Sequence, residues 1–314
     1  MNILVTAVGG DLGQSVIKCL KNSDCKDKIF GCDMETYAAG QALCHGFFTA
    51  PPVSDEVAYK DFIAKTIKEN HIDYVFPMSN VEISFISSQR HFFEKLPARF
   101  VMNPSPIIER FMDKYLTVQF FRENGIPAPQ TYLAETFDGQ LEFPVILKKR
   151  QGSGSQGLFK VADDEELKFF CKRHQDMIVQ QYLPGENNEY TSCIFSDGHS
   201  HHFITFKRKL APGGYSNYVE LIIDEMVDSF LLKVAEVLNF KGSINIQFRI
   251  VEGVCYPFEI NPRFSSTVYF RHCFGFKDVL WSMDLMENKP IQYGPVKKKG
   301  IGVKSFDEVF FDLE

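Results

Sequence analysis

Three stretches of this chain hold residue types at spacings that can do chemistry. The first is INIQFRIVEGVCYPFEINPRFSST, residues 244–267, which reads as two strands joined by a turn at Glu252-Gly253. Glu259 and Asn261 are two apart on the second strand and so face the same way, and Gln247 on the partner strand can lie beside them. One carboxylate and two amide oxygens suit Mg²⁺, a hard cation that keeps water and bridges phosphates, with Mn²⁺ as an alternative. Arg263 continues that face and can hold a transferring phosphoryl group. A buried carboxylate between Phe258 and Ile260 needs a partner, and a metal would be one. The same pattern also suits an ordinary alternating strand whose polar side chains meet solvent.

The second stretch is KKRQGSGSQGLFKV, residues 148–161. Gly152, Gly154 and Gly157 with Ser153 and Ser155 make a loop rich in backbone N–H and hydroxyl donors. It lies between an apolar strand ending in Lys148-Lys149 and a second strand. A P-loop needs GK[ST] followed by a helix, and neither is present. A glycine loop at a hairpin tip predicts a flap over a triphosphate, with Lys148 reaching in from the strand. The competing reading is an open hairpin tip with surface lysines. The third stretch, Gly9, Gly10 and Gly13, stands between a strand and a helix, with Asp33 ending the next strand. It could seat a nucleotide phosphate, but Val8 occupies the first glycine position of G-x-G-x-x-G, so a plain strand-to-helix turn fits as well.

The elements that must position these residues divide in two. Residues 1–105 alternate strand and helix: NILVTAV, then QSVIKCLKN, then KIFGCD, a helix near 57–70, DYVFPM, a helical stretch at 81–95 and RFVMN. Continuous apolar strands separated by helices predict a doubly wound parallel sheet. A helix over 107–124 follows, stopped by Gly125 and the prolines 127 and 129. Beyond it come PVILKK, LFKVA, MIVQQYL, EYTSCIF, HFITFKRKL, SINIQFRI and VCYPFEI, with helices near 163–173, 224–239 and 277–288. Strands joined by tight turns predict antiparallel sheets, so the fold class is α/β followed by α+β.

Composition bounds the partners. The 314 residues are 45% hydrophobic and 24% charged with a net charge of −6, which argues against a nucleic-acid binder and requires cations gathered locally around any anionic ligand. With 31 Phe and a single Trp, the core is expected to be Phe-rich. No run approaches the roughly 18 apolar residues of a membrane span. The eight cysteines contain no CxxC pair, and a short N-terminal apolar run is no signal peptide, so reduced thiols and a cytoplasmic location are expected.

Taken together, FEINPRFSS, the glycine hairpin and VQQYLPGENNEYTSCIF resemble the ATP-grasp superfamily, in particular one half of the carbamoyl-phosphate synthetase large subunit. Biotin carboxylase and the D-alanine–D-alanine ligases are more distant likenesses. The resemblance implies a pre-ATP-grasp domain at 1–105, a first grasp lobe with the flap at 106–183, and a second lobe with the metal site at 184–314. It implies that Lys114 and Lys148 contact phosphates and that residues 152–157 cover the β- and γ-phosphates. The backbone around Gln181, Tyr182 and Leu183 would meet adenine, and Glu189 would hold the ribose. Gln247, Glu259 and Asn261 would ligate metal beside Arg263. Lys207, Arg208 and Lys209 would lend cations to the substrate carboxylate or γ-phosphate. Gly9, Gly10 and Ser265 become co-substrate candidates. Gln180-Gln181 stands where an acid is common, Asn187-Asn188 lengthens the following turn, and Gln247 replaces a metal carboxylate. A single grasp unit argues against carbamoyl phosphate synthesis.

The resulting expectation is an ATP-dependent carboxylate–amine ligase using ATP and Mg²⁺, with small-molecule partners, no membrane or nucleic-acid partner, and a homodimer left open. An NAD(P)-dependent oxidoreductase built on Gly9–Gly13 and Asp33, and a catalytically silent ATP-binding module, are the rivals. The histidines in Gly198–His202 read as a solvated turn, Tyr293 and Lys297 as no dehydrogenase pair, Lys297–Lys299 as a solvated edge, and Met283 and Met286 as core.

Overall fold

A computed structural model describes residues 1–23, 27–152, 154, 157–185 and 188–311. The flap serines Ser153 and Ser155, Asn187 and Cys25 lie outside the described residues. The chain begins with β1 (Asn2–Val5), α1 (Asp11–Lys21), β2 (Lys28–Asp33), a 3₁₀ turn at Ala39–Leu43, and β3 (Gly46–Thr49). It continues through α2 (Glu56–Glu69), β4 (Tyr74–Phe76), α3 (Asn80–Ser88), α4 (Arg90–Phe93), β5 (Arg99–Phe100) and α5 (Ser105–Phe111). The five strands pair in parallel in the order β3-β2-β1-β4-β5.

β1 shows why Ile3, Leu4 and Val5 had to be apolar in succession. Ile3 and Val5 enter one core with α1, while Leu4 enters the opposite core with α2 and α3. A strand buried on both faces cannot alternate polar and apolar residues. The short strand β3 is not expected from the sequence, its run of Phe47, Phe48 and Thr49 being only three residues long. Gly13 sits where a Cβ would come within 2.6 Å of the Ala7 carbonyl oxygen, so packing against the preceding turn already requires glycine there.

The helix expected over 107–124 is two helices. Asp113 stands between α5 and α6 (Lys114–Glu123), and its carboxylate accepts hydrogen bonds from the Tyr115 and Leu116 N–H groups. A side chain that caps a new helix ends continuity with the old one.

The next strands are β6 (Thr131–Leu133), β7 (Val145–Lys149), β8 (Leu158–Val161) and, after α7 (Asp164–Cys171), β9 (Met177–Gln181). They form a four-stranded antiparallel sheet ordered β6-β9-β7-β8. Then come β10 (Glu189–Ser196), β11 (His201–Leu210), β12 (Ser216–Ile222), α8 (Glu225–Leu238), β13 (Gly242–Val251) and β14 (Val254–Asn261). After α9 (Val268–Cys273) and α10 (Asp278–Met286), β15 (Ile301–Val303) completes the second sheet, ordered β14-β13-β10-β11-β12-β15. The α8 crossover returns β13 to the side of β10, where the two pair antiparallel.

Two compact units result. One comprises 1–108, 263–297 and 303–314, and the other 109–262 and 298–302. The sequence reading placed everything after 184 in the second lobe, whereas α9 and α10 belong with the parallel sheet. The reason is apolar burial: Val268, Val279 and Met283 pack into the core holding Ile3 and Val5, and Met286 packs against that core.

Candidate functional site

Within the second unit, a cleft of about 650 Å³ is lined by both antiparallel sheets. From the four-stranded sheet and its hairpin come Lys148, Lys149, Gly152, Gly154 and Leu158, and from the six-stranded sheet Glu189, Arg208, Leu210, Gln247, Phe258 and Glu259. Lys114, first residue of α6, and Gly214 complete it. An adjoining space of about 640 Å³ shares Lys148, Leu158, Glu189, Leu210 and Phe258, and adds Ile146, Gln180, Gln181, Tyr182, Leu183 and Arg249. One part gathers cations around carboxylates, and the other is mostly apolar.

The charged part is tightly interconnected. Lys148 is only 5% exposed, and its Nζ donates to Gln180 Oε1 at 2.9 Å. Burial pushes the Lys148 ammonium down to about 8, helped by the Lys114 charge and opposed by Glu259 and Glu189. Burial alone would raise the Glu259 carboxyl. The charges of Lys114, Lys148 and Arg208, with a hydrogen bond from Asn261, outweigh it and hold the group below its ordinary value. Asn261 Nδ2 donates to Glu259 Oε1 at 3.0 Å. β13 and β14 set Gln247 directly opposite Glu259, and Asn245 opposite Asn261.

Arg208, 8% exposed, sits on β11 and donates to Glu189 Oε1 and, at 2.6 Å, to Gln247 Oε1. Arg249 donates to the Leu183 carbonyl at 2.7 Å and pairs with Glu189 Oε2 at 3.5 Å. The base of the hairpin is tied to α6. Arg150 Nε donates to Asp113 Oδ2 at 2.6 Å, Lys114 N–H to the Arg150 carbonyl, and Lys114 Nζ to the Gly152 carbonyl at 2.8 Å.

Most residues expected from the sequence therefore converge: Lys114, Lys148, Gly152, Gly154, Glu189, Arg208, Gln247 and Glu259 line one cleft, with Asn261 on Glu259. Gln181, Tyr182 and Leu183 line its apolar extension. The Gln181 N–H is committed to the Gln130 carbonyl, so it is not available to a base. Gly157 packs over the Lys149 side chain.

Other expected residues are not among those lining the cleft. Lys207 and Lys209 do not line it, because they alternate with Arg208 along β11 and so face the other side, where Lys209 lies over the Tyr218 ring at 5.1 Å. β14 ends at Asn261, so Arg263 does not continue its face; in the first unit its Nε donates to Asn80 Oδ1 and its Nη1 to the Phe264 carbonyl. Ser265, also in the first unit, is buried and accepts from Arg271 Nη1. Gly9 N–H donates to Asp33 Oδ2, and Gly10 N–H to the Ala7 carbonyl, so the first glycine turn is closed on itself. Among the described residues no cluster of three or more His, Cys, Asp or Glu could hold a metal, and the turn at 198–202 is organised by Asp197.

Sequence reasoning noted Gln180 in the hinge but gave it no role, and missed Arg249, Asp113 with Arg150, and the turn containing Gly213 and Gly214. A polar Gln180 inside the apolar strand MIVQQ and the Pro212-Gly213-Gly214 turn were the available signals. Arg249 carried none, because its partners are distant in sequence.

Comparison with known proteins adds to this geometry. Residues 111–267, half of the chain, match the model of the ATP-grasp domain, and residues 3–101 match that of the PylC-like N-terminal domain. Over 208 residues the chain is 26% identical to the arginine-specific carbamoyl phosphate synthase large chain of Halalkalibacterium halodurans, covering 59% of this chain and 20% of that one. The chain thus spans about a fifth of that relative's length. Among solved structures, the biotin carboxylase domain of Hydrogenobacter thermophilus 2-oxoglutarate carboxylase superimposes with a TM-score of 0.75 at 16% identity, covering 96% of this chain and 73% of that one. N5-carboxyaminoimidazole synthetase from Staphylococcus aureus gives a TM-score of 0.73 at 15% identity, covering 96% and 81%. At such identities the likeness is one of fold.

Proposed function

The chain belongs to the ATP-grasp domain family, and from that premise we propose that it is an ATP-dependent ligase joining a carboxylate to an amine or amino acid, with release of ADP and phosphate. The observation that carries this is the cleft itself. A buried lysine and an ionised, half-buried carboxylate share it with Lys114, Lys149 and Arg208, and an apolar chamber opens beside them. A nucleoside triphosphate is a ligand with those two halves. The base would lie among Ile146, Leu158, Leu183 and Phe258, and the polyphosphate beside the cations.

The donor set fits Mg²⁺. Glu259 supplies an ionised oxygen and Asn261 an amide, while Gln247, whose carbonyl accepts from Arg208, would act through that arginine. When bound, the metal offsets polyphosphate charge. Lys148, Lys114 and Arg208 orient the triphosphate so that a substrate carboxylate oxygen attacks the γ-phosphorus and ADP leaves. The amine then attacks the acyl carbon, and phosphate departs. Such transfer depends on positioning and electrostatics. The glycine hairpin would exclude water from the acyl phosphate. A cytoplasmic location is part of this reading, in keeping with the free thiols of the described cysteines. Among the described residues no helix is long and apolar enough to cross a membrane.

ADP release should be assayed over a matrix of carboxylates and amines, with products identified by mass. One pair should give stoichiometric ADP and adduct, and Lys148→Ala and Glu259→Ala should abolish it without unfolding the chain. Nucleotide binding with no turnover across a broad matrix would favour a silent module, the reading to which Gln247 in place of a carboxylate leans.

A further inference from the structure

The side chain that presents Lys148 to the cleft is itself held by a hydrogen-bonded row whose polarity can be deduced. β6, β9 and β7 are adjacent, with Thr131 opposite Gln180 and Ile146 opposite Gln180. Opposed residues share a face, and Lys148 is two beyond Ile146, so Thr131, Gln180 and Lys148 form a diagonal row on one face across three strands. All three are buried, at 5%, 4% and 5% exposure. Thr131 Oγ1 donates its single proton to the Pro129 carbonyl at 3.0 Å. It can therefore only accept from Gln180, whose Nε2 approaches at 2.8 Å. That turns the amide so that Oε1 faces Lys148 Nζ, at 2.9 Å.

The acceptor this gives Lys148 is neutral. The nearby carboxylates Glu259 and Glu189 act on the ammonium through space, so its charge is oriented without being cancelled by direct pairing. Lys148 also stands where the apolar and charged parts of the cleft meet. We propose that Thr131 and Gln180 are positioning residues: the threonine hydroxyl fixes the amide, and the amide aims the Lys148 ammonium at the phosphates of the nucleotide. This deepens the ligase reading and rests on it.

The test compares MgADP and adenosine binding by calorimetry to the full chain, to Thr131→Val, to Thr131→Ser and to Gln180→Met. Thr131→Val should bind MgADP about tenfold more weakly, because the amide it releases no longer aims the ammonium, and bind adenosine as the parent chain does. Thr131→Ser, which keeps the hydroxyl, should restore MgADP affinity, and Gln180→Met, whose site also lines the chamber for the base, should weaken MgADP clearly more than adenosine. Equal weakening of adenosine and MgADP would make the row merely structural and overturn the proposal, as would unchanged MgADP binding in both Thr131→Val and Gln180→Met. A parent chain that bound no MgADP would overturn the functional reading beneath it, and a parent that binds while the variants match it would overturn only the positioning role.

Discussion

Lys148 has a pH signature. Its ammonium titrates near 8 because burial disfavours the charge, with the neighbouring Lys114 adding to the effect and Glu259 and Glu189 opposing it. Below that pH the native chain carries a buried charge and loses stability by it. As pH rises from about 8 toward the ordinary lysine range, the native lysine is neutral while the unfolded one still binds a proton, so this group's penalty disappears. Nucleotide affinity should move the opposite way, falling as pH rises through about 8 because the phosphates lose a cation. Titrating MgADP affinity across that range should show the inflection in the parent chain and none in Lys148→Met. A flat parent profile would contradict the assignment. At the same scale, Arg208 is held by Glu189 and Gln247 on partner strands, an arrangement invisible in FKRKL, where three successive cations look alike.

In the glycine hairpin between β7 and β8, the backbone at Gly154 calls for glycine. Gly154 has φ of +71°, and a Cβ there would stand 3.3 Å from the Gly213 carbonyl in the turn between β11 and β12. Gly154→Ala should strain the hairpin by about 1 kcal/mol and push it away from that turn. Turnover should fall several-fold, while thermal stability, set by the buried apolar cores, stays nearly constant. Stopped-flow or steady-state ADP release beside a melting curve would check this; unchanged turnover would show that the hairpin is no lid. The predicted strands on either side match β7 and β8 closely because apolar runs and Gly/Ser turns are local signals. The helix over 107–124 divided because one capping carboxylate, Asp113, overrode an otherwise continuous helical pattern.

At the scale of the whole molecule, the cleft is confined to one unit. Every residue lining the cleft and its extension belongs to the unit of 109–262 and 298–302. Saturating MgADP should therefore slow amide hydrogen exchange in β7, β9, β13 and β14 and leave β1, β2 and β4 unchanged, measured by mass spectrometry of peptides. Protection confined to the parallel sheet would move the nucleotide site to the first unit and revive the glycine turn at Gly9–Gly13.

The sequence alone determined what is local. It specified the apolar strands of the parallel sheet, the glycine hairpin and the two-residue spacing of Glu259 and Asn261; the β-bulge beside Gln247 that sets it opposite Glu259 belongs to the paired strands and is not written in either one. Tertiary structure decided what depends on pairing between distant strands. It inserted β9 between β6 and β7, so that Gln180 bridges Thr131 and Lys148, and returned β13 to β10. It drew α9 and α10 back to the first core, and separated Arg208 from Lys207 and Lys209 by face. Periodicity says which way a side chain points from its own strand. Which strand lies alongside is set by burying apolar surface across long stretches of chain, and no single segment contains that information.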